Sequence, residues 1–365
     1  MATAPIQVTT PFLPEFRAYT DLLQGVWERN HLTNQGPLVR ELESRIPTHL
    51  GLERPVLCVA NGGLGLQLLL KAMDVRGTVI TTPFSYVATS SCPAWEGLDV
   101  RFADIESDHL TLDPAAVEAS IDSSSEAIIA THVFGNPCAV DSLARIADKH
   151  GLALIYDAAH AWGVRHQGKS ILSFGHASMV STHATKLFHT VEGGFVTAAA
   201  PDVMDRVEWM RRFGHKDNDS FHGIGINAKM SEMHAAMGLA VMDRLGEISG
   251  RREKICQTYK EALANQSEIR PAFALRSDTE WNHSYFPVLF ESEKNLLRAV
   301  QRMGQDDIHP RRYFYPCLNQ SFSTDDRDGC PVSSDISRRI LCLPLSHALT
   351  DAELARVIRA LGLAA

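Results

Sequence analysis

No C-x-x-C pair occurs among the seven cysteines, which removes the spacing that a zinc site or a disulfide framework would show. Cys58 and Cys342 lie in apolar runs and read as small core residues. The sixteen histidines include no H-E-x-x-H, so no metal site is expected. No apolar run approaches the ~18 residues of a membrane span. The start, Met1-Ala-Thr-Ala-Pro-Ile-Gln, has neither the basic residues nor the apolar core of an export signal, and a cytoplasmic protein without membrane attachment is expected. Positive charge is also short. The 35 Lys+Arg against 43 Asp+Glu leave a formal charge of -8 with no compensating basic run, which argues against a nucleic-acid partner. What remains is a chain of 365 residues, 45% hydrophobic and 21% charged, long enough for one large or two unequal domains around a buried core.

One lysine stands apart. Ala177-Ser-Met-Val-Ser181 reads as a short buried strand that delivers Lys186 into a hydroxyl-rich turn closing on Glu192-Gly193-Gly194. An amine held rigidly beside a cofactor can form a Schiff base, and it must shed a proton to act as nucleophile or base, which partial burial favours. Taken alone, such a lysine reads first as a solvated loop residue. Upstream, Leu152-Ala-Leu-Ile-Tyr-Asp157 reads as a central parallel strand with a carboxylate at its C-terminal end, where open α/β sheets hold ligands. A carboxylate there can keep the ring nitrogen of pyridoxal phosphate protonated, so that the ring accepts electrons from a substrate carbanion. An Asp at a strand end is also a common helix cap, and by itself Asp157 leaves both readings open. Strand-Asp followed by strand-Lys-Gly-Gly favours the first.

The rest of the chain alternates strand and helix. Thr78 to Thr82, Val100 to Asp104 and Ala127 to Val133 read as strands, with helices over Leu64 to Met73, Pro114 to Ile121 and Val140 to His150. Alternation of this kind implies a mostly parallel sheet with helices on both faces. Helices are also expected over Phe16 to Arg29 and Pro37 to Leu50, the latter opened by a proline suited to a first helical position. One long amphipathic helix, Met242 to Gln266, is expected to lead into a second domain.

Five motifs, Leu32-Thr-Asn-Gln-Gly36-Pro37, Pro83-Phe-Ser-Tyr86-Val-Ala-Thr89, Asp157-Ala-Ala-His160, His183-Ala-Thr-Lys186 and Glu192-Gly-Gly194, resemble those of the DegT/DnrJ/EryC1/StrS sugar aminotransferases. These are a branch of the fold-type I enzymes that use pyridoxal 5'-phosphate, and the resemblance runs from Pro11-Phe12 to the C-terminal helix. It implies an α/β fold with a large cofactor-binding domain, residues 1–244, built on a mostly parallel, seven-stranded-type sheet, and a smaller α+β domain, residues 245–365. It implies a ping-pong transamination with L-glutamate as donor and a nucleotide-linked keto sugar as acceptor. Within the group the likeness is to enzymes that aminate C4 of a 4-keto-6-deoxyhexose. Amination at C3, and a cofactor-binding regulator without turnover, stay open at this point. A dehydratase of the family would carry His in place of Lys186, and a Schiff-base aldolase would not need Asp157.

The resemblance also assigns residues. Lys186 is the catalytic amine and Asp157 the ring-nitrogen partner. Asn61-Gly62-Gly63 opens a helix and offers backbone amides to a phosphate. Family members commonly carry Ser or Thr near the second glycine. Gly63 has no hydroxyl, so the phosphate is assigned to the Gly62 and Gly63 amides, and the hydroxyl contact to Ser181. Either Phe84 or Tyr86 could stack on the cofactor, and Tyr86 is chosen from the motif. His160 is implied to face the other side of the ring or its O3' region. Asn227, ahead of an Ala- and Met-rich helix with Ser231 as its cap, is implied to reach the phosphate of a second subunit, hence a homodimer with shared active sites. Asn34, His309, Arg311, Arg312 and Tyr313 are implied to help build the sugar-nucleotide pocket. Read without the family, the two arginines are equally a solvent-facing pair on a loop.

Overall fold

The computed structural model describes residues 4–322 and 329–363. Seven strands form the central sheet: β1 (Leu57–Val59), β2 (Thr78–Thr81), β3 (Val100–Phe102), β4 (Ser125–Thr131), β5 (Ala153–Asp157), β6 (Ala177–Ser181) and β7 (Gly194–Ala198). Their spatial order is β1-β7-β6-β5-β4-β2-β3. The five from β6 to β3 run parallel, and β7 is antiparallel to both β6 and β1. That reversal follows from the chain, because β7 is the return of a hairpin-like excursion that begins at Ser181.

Successive residues of each strand point to opposite faces, and both faces are apolar, as a sheet covered twice requires. Ile128, Ala130, Leu154, Tyr156, Val180 and Phe195 pack on one side with the helices Pro37–Leu50, Val140–His150 and Glu232–Met242. Ala127, Ile129, Ile155, Met179 and Val196 pack on the other with Gly62–Ala72 and Pro201–Met210. Thr131 and Asp157 are register partners, so the polar ends of β4 and β5 finish together at one edge of the sheet.

A second core lies farther along the chain. β8 (Ile269–Pro271), β9 (Phe286–Phe290) and β10 (Ile340–Leu343) form an antiparallel sheet in that order. Phe286, Val288, Leu341 and Leu343 bury against Tyr259, Leu296, Met303 and Val357 of three helices. Ile6 joins this cluster, and Ile6–Gln7 pairs in parallel with Ile308–His309, so the start of the described chain packs with its end.

The Ala- and Met-rich helix capped by Ser231 is Glu232–Met242, and the long helix expected over 242–266 is Leu245–Leu263, with the chain turning between them at Asp243 and Arg244. The first is apolar on every side and almost wholly buried, whereas the second keeps a charged face, so one straight rod could not satisfy both. Three helices, Ala88–Trp95, Asn319–Phe322 and Pro331–Arg339, are not among those expected from the sequence. Among the described residues, no helix is long and apolar enough to cross a membrane.

Candidate active site

Lys186 sits in a loop that its own backbone closes. Thr182 N donates to Gly193 O (2.9 Å), Ala184 N to Val191 O (2.7 Å), and Lys186 N to His183 O (2.8 Å). The Thr182 and Thr190 hydroxyls bond each other across it at 2.7 Å. Gly193 is required for this closure, because a Cβ there would stand 2.1 Å from Thr190 Oγ1 and 2.6 Å from Thr182 Oγ1. The lysine side chain projects into a cavity of ≈ 330 Å³ at the C-terminal ends of β4 to β6. No hydrogen bond or ion pair to a described residue engages its amine, which stands 6.0 Å from the centroid of the Tyr285 ring. Burial lowers the amine from the ordinary lysine value to about 8, opposed by the Asp157 carboxylate and Tyr86.

Asp157 faces the same cavity from the end of β5 and is 4% exposed. Its Oδ1 accepts from Ala159 N (3.0 Å) and its Oδ2 from Thr89 Oγ1 (2.7 Å). Burial pushes the carboxyl up, while those two hydrogen bonds and the Lys186 charge pull it back. No helix follows Asp157 for it to cap, since residues 158–164 are turns. Behind Thr89 the chain of hydroxyls continues, with Ser85 Oγ 2.8 Å from Thr89 Oγ1 and 3.1 Å from Thr131 Oγ1. Sequence reasoning missed this support for the carboxylate. Its one legible sign is the i, i+4 spacing of Ser85 and Thr89 on either side of Tyr86.

Phe84 is fully buried and packs edge-on against Phe134 and Phe314, whereas Tyr86 is 60% exposed and lines the cavity. The two aromatics of the motif are thereby separated into core and cavity. His160 is buried beside Asp157, and its Nδ1 accepts from Phe134 N (3.1 Å), so that nitrogen bears no proton. Burial first, then Lys186, holds the imidazole well below its ordinary value, and it is neutral.

The helix Gly62–Ala72 points its N-terminus at the cavity. Asn61 caps it by accepting from Leu64 N (2.8 Å), and neither the Gly62 nor the Gly63 amide has an acceptor among the described residues. Ser181 lies alongside. A Cβ on Gly62 would meet Met179 Sδ at 2.7 Å and Ser181 Cβ at 3.2 Å, so only glycine lets the helix end approach β6 this closely.

The DegT/DnrJ/EryC1/StrS aminotransferase pattern matches residues 17–362. The chain belongs to that aminotransferase family. It is similar to the dTDP-4-amino-4,6-dideoxy-D-glucose transaminases of Shigella dysenteriae, 34% identical over 95% of each chain, and of Escherichia coli, 32% identical over 98% of each. Among solved structures it is similar to DesI, crystallised in the presence of its TDP-sugar product, with a TM-score of 0.92 and 33% identity over 99% of this chain and 93% of that one. DesV of S. venezuelae, in complex with a ketimine intermediate, has a TM-score of 0.86 and 25% identity over 98% of each. The fold is that of these sugar aminotransferases, and the protein is an enzyme of amino-group transfer.

In this family member, Gly62, Gly63, Tyr86, Asp157, His160, Ser181, Lys186 and Tyr313 all line the one cavity. Five other sequence candidates do not. Asn34 is exposed on a turn with φ 62°, and Asn227 is exposed and accepts from Lys229 Nζ at 2.6 Å. His309 pairs with Asp307 at 2.8 Å, and Arg311 is exposed with its backbone bridged to Cys342. Arg312 is turned into its own lobe, paired with Glu293 at 2.7 Å, donating to Arg338 O at 2.8 Å and stacked on Tyr315. Tyr285 and Phe314, which the sequence did not single out, complete the wall opposite Lys186.

Proposed function

We propose that this aminotransferase uses pyridoxal 5'-phosphate to move the amino group of L-glutamate to C4 of a nucleotide-linked 4-keto-6-deoxyhexose, forming a dTDP-4-amino-4,6-dideoxy-D-glucose type of product. The observation that carries the reading is an amine without a partner and a buried carboxylate without a bonded cation among the described residues, facing one cavity. The chemistry of the surroundings fits the cofactor, with two unengaged amides at a capped helix N-terminus available to its phosphate. When bound, the cofactor supplies an electron sink for the carbanion at the substrate carbon.

The chain's own groups then have distinct tasks. Lys186 is the residue that would hold the cofactor, and its free amine would move the proton at the α-carbon of the amino donor. At pH 7 an amine of pKa about 8 is roughly a tenth neutral, several hundred times more than an unshifted lysine. Asp157 keeps the pyridine nitrogen protonated, with the Thr89 hydroxyl and the Ala159 amide orienting it. Gly62, Gly63 and Ser181 would hold the phosphate, Tyr86 would stack on the ring, and His160 would face its other side or its O3' region. Asn227 serves a second protomer, which its exposed position outside its own cavity supports.

The sugar assignment draws support from the activities of relatives 32–34% identical over nearly the whole chain. Borohydride reduction followed by peptide mapping tests the cofactor, with the phosphopyridoxyl label expected on Lys186. Incubation with glutamate and a panel of dTDP-, UDP- and GDP-linked 3- and 4-keto sugars, with NMR of the product, tests the acceptor. An amine at C3 or no product at all would overturn the C4 assignment.

A further inference from the structure

The four residues before Tyr285 are fastened on both sides. Trp281 Nε1 donates to Phe134 O at 2.8 Å. Asn282, 9% exposed, spends its whole amide: Nδ2 donates to His160 O (2.9 Å) and Trp162 O (2.8 Å), and Oδ1 accepts from Ser284 N (3.2 Å). The fit leaves no slack, because a Cβ on Gly135 would lie 2.6 Å from Asn282 Oδ1. From the other side Arg252, buried and bonded to no carboxylate among the described residues, donates to Ser284 O at 2.9 Å. The segment is thus stitched to the loop after Asp157 and to the helix Leu245–Leu263 at once.

This clamp delivers Tyr285, whose ring centroid is 6.0 Å from Lys186 Nζ and 4.6 Å from His160. Its ring is well packed, yet no hydrogen bond to a described residue engages its hydroxyl. Burial pushes the phenol well above its ordinary value, so it stays a hydrogen-bond donor throughout the working range. Tyr313 stands edge-on to it at 5.8 Å. An amino-acid donor presents a carboxylate, which calls for a cation. This wall is aromatic and uncharged, and it suits the face and hydroxyls of a sugar.

We propose that Tyr285 binds the amino acceptor, its phenol donating a hydrogen bond to a sugar oxygen beside the reacting carbon, and that Asn282 is the positioning residue that sets it there. This rests on the reading of Lys186 as the cofactor-bearing amine and of a keto sugar as the acceptor. The holoenzyme carrying Tyr285→Phe keeps the ring and loses only the hydroxyl. Its visible absorbance band, its borohydride label on Lys186 and its reaction with glutamate alone should match the parent enzyme within about twofold. Its KM for the keto sugar should rise about tenfold, the worth of one uncharged hydrogen bond. Asn282→Ala should give the same split between the two substrates, and the double variant should be no worse than the poorer single one.

Three results would overturn the inference: an unchanged keto-sugar KM in Tyr285→Phe, equal slowing of both half-reactions, or effects of the two substitutions that multiply. Should Asn282→Ala fold poorly, Asn282→Ser takes its place in the cycle, and Tyr285→Phe by itself still decides the hydroxyl's role. A parent enzyme without label on Lys186 would instead remove the cofactor reading. Label on Lys186 with unaltered Tyr285→Phe kinetics would overturn this inference alone.

Discussion

Loss of water moves Lys186 and Asp157 in opposite directions, since burial disfavours the charge on each: the amine falls to about 8 and the carboxyl rises. Each charge partly offsets the other's penalty. The neutral amine is the form that attacks an aldehyde, so addition of free cofactor to the apoprotein should accelerate with rising pH and level off above about 8. An unshifted lysine would keep gaining past pH ~10. Stopped-flow absorbance across pH 6 to 10 measures the midpoint, and a rate still climbing at the upper end contradicts the depressed value. Asp157→Asn removes the group that raises the amine, and its midpoint should fall below that of the parent enzyme. Turnover in the same variant should drop by ~100-fold or more, because the carboxylate that balances the ring nitrogen's charge is gone. A midpoint that stays or rises, or near-normal turnover, would separate Asp157 from the chemistry.

A helix end and a loop meet at the glycines, where backbone approaches backbone. Gly62→Ala sets a methyl 2.7 Å from Met179 Sδ and 3.2 Å from Ser181 Cβ, so the buried Met179 side chain or the helix N-terminus must give way beside β6. Gly63→Ala meets nothing closer than Asn61 Oδ1 at 3.3 Å and Cys92 Sγ at 3.4 Å, which small shifts accommodate. Cofactor affinity, followed by absorbance titration, should fall at least ~10-fold for the first and stay within about threefold for the second, since the amides at the helix end provide the phosphate contact. Equal losses would mean that this helix end does not hold the phosphate. Elements differ just as sharply in how far the sequence announces them. The helices Pro37–Leu50 and Val140–His150 are readable to the residue, with a glycine at φ 58° and 67° ending each and Pro37 opening the first. Ala88–Trp95 is not, because Thr, Ser, Ser, Cys and Pro carry no helical preference, and burial against the sheet decides its conformation. Asp157 and Lys186 stand out in the sequence only as a pair, a carboxylate at the end of one strand and an amine in the turn that follows another. The Ser85-Thr89-Thr131 support and the clamp at Asn282 do not, since each joins residues from separate elements that no local pattern relates.

Over the whole molecule, apolar side chains remain outside where a monomer would cover them. Phe213, Phe221 and Ile224 are 50%, 62% and 93% exposed in the stretch that leads to Asn227. Leu32 and Val191, beside the Asn34 turn and in the Lys186 loop, are also uncovered. A second protomer laid over this surface would bury these residues and could carry Asn227 to the other chain's cavity, consistent with the shared-site dimer proposed for the enzyme. Such sharing has a consequence that sites built from single chains cannot mimic. Lys186→Ala and Asn227→Asp should each be inactive or nearly so as purified, the first for want of the amine and the second from a like charge set against the phosphate. Mixed by co-expression, the two chains form heterodimers in which one site has both lesions and the other has neither. Random pairing should then restore about a quarter of the parent activity, because half the dimers are mixed and each has one intact site of two. Sites built from single chains would give no recovery, since every site would carry one lesion or the other, and the result would place Asn227 at its own chain's site instead of the partner's.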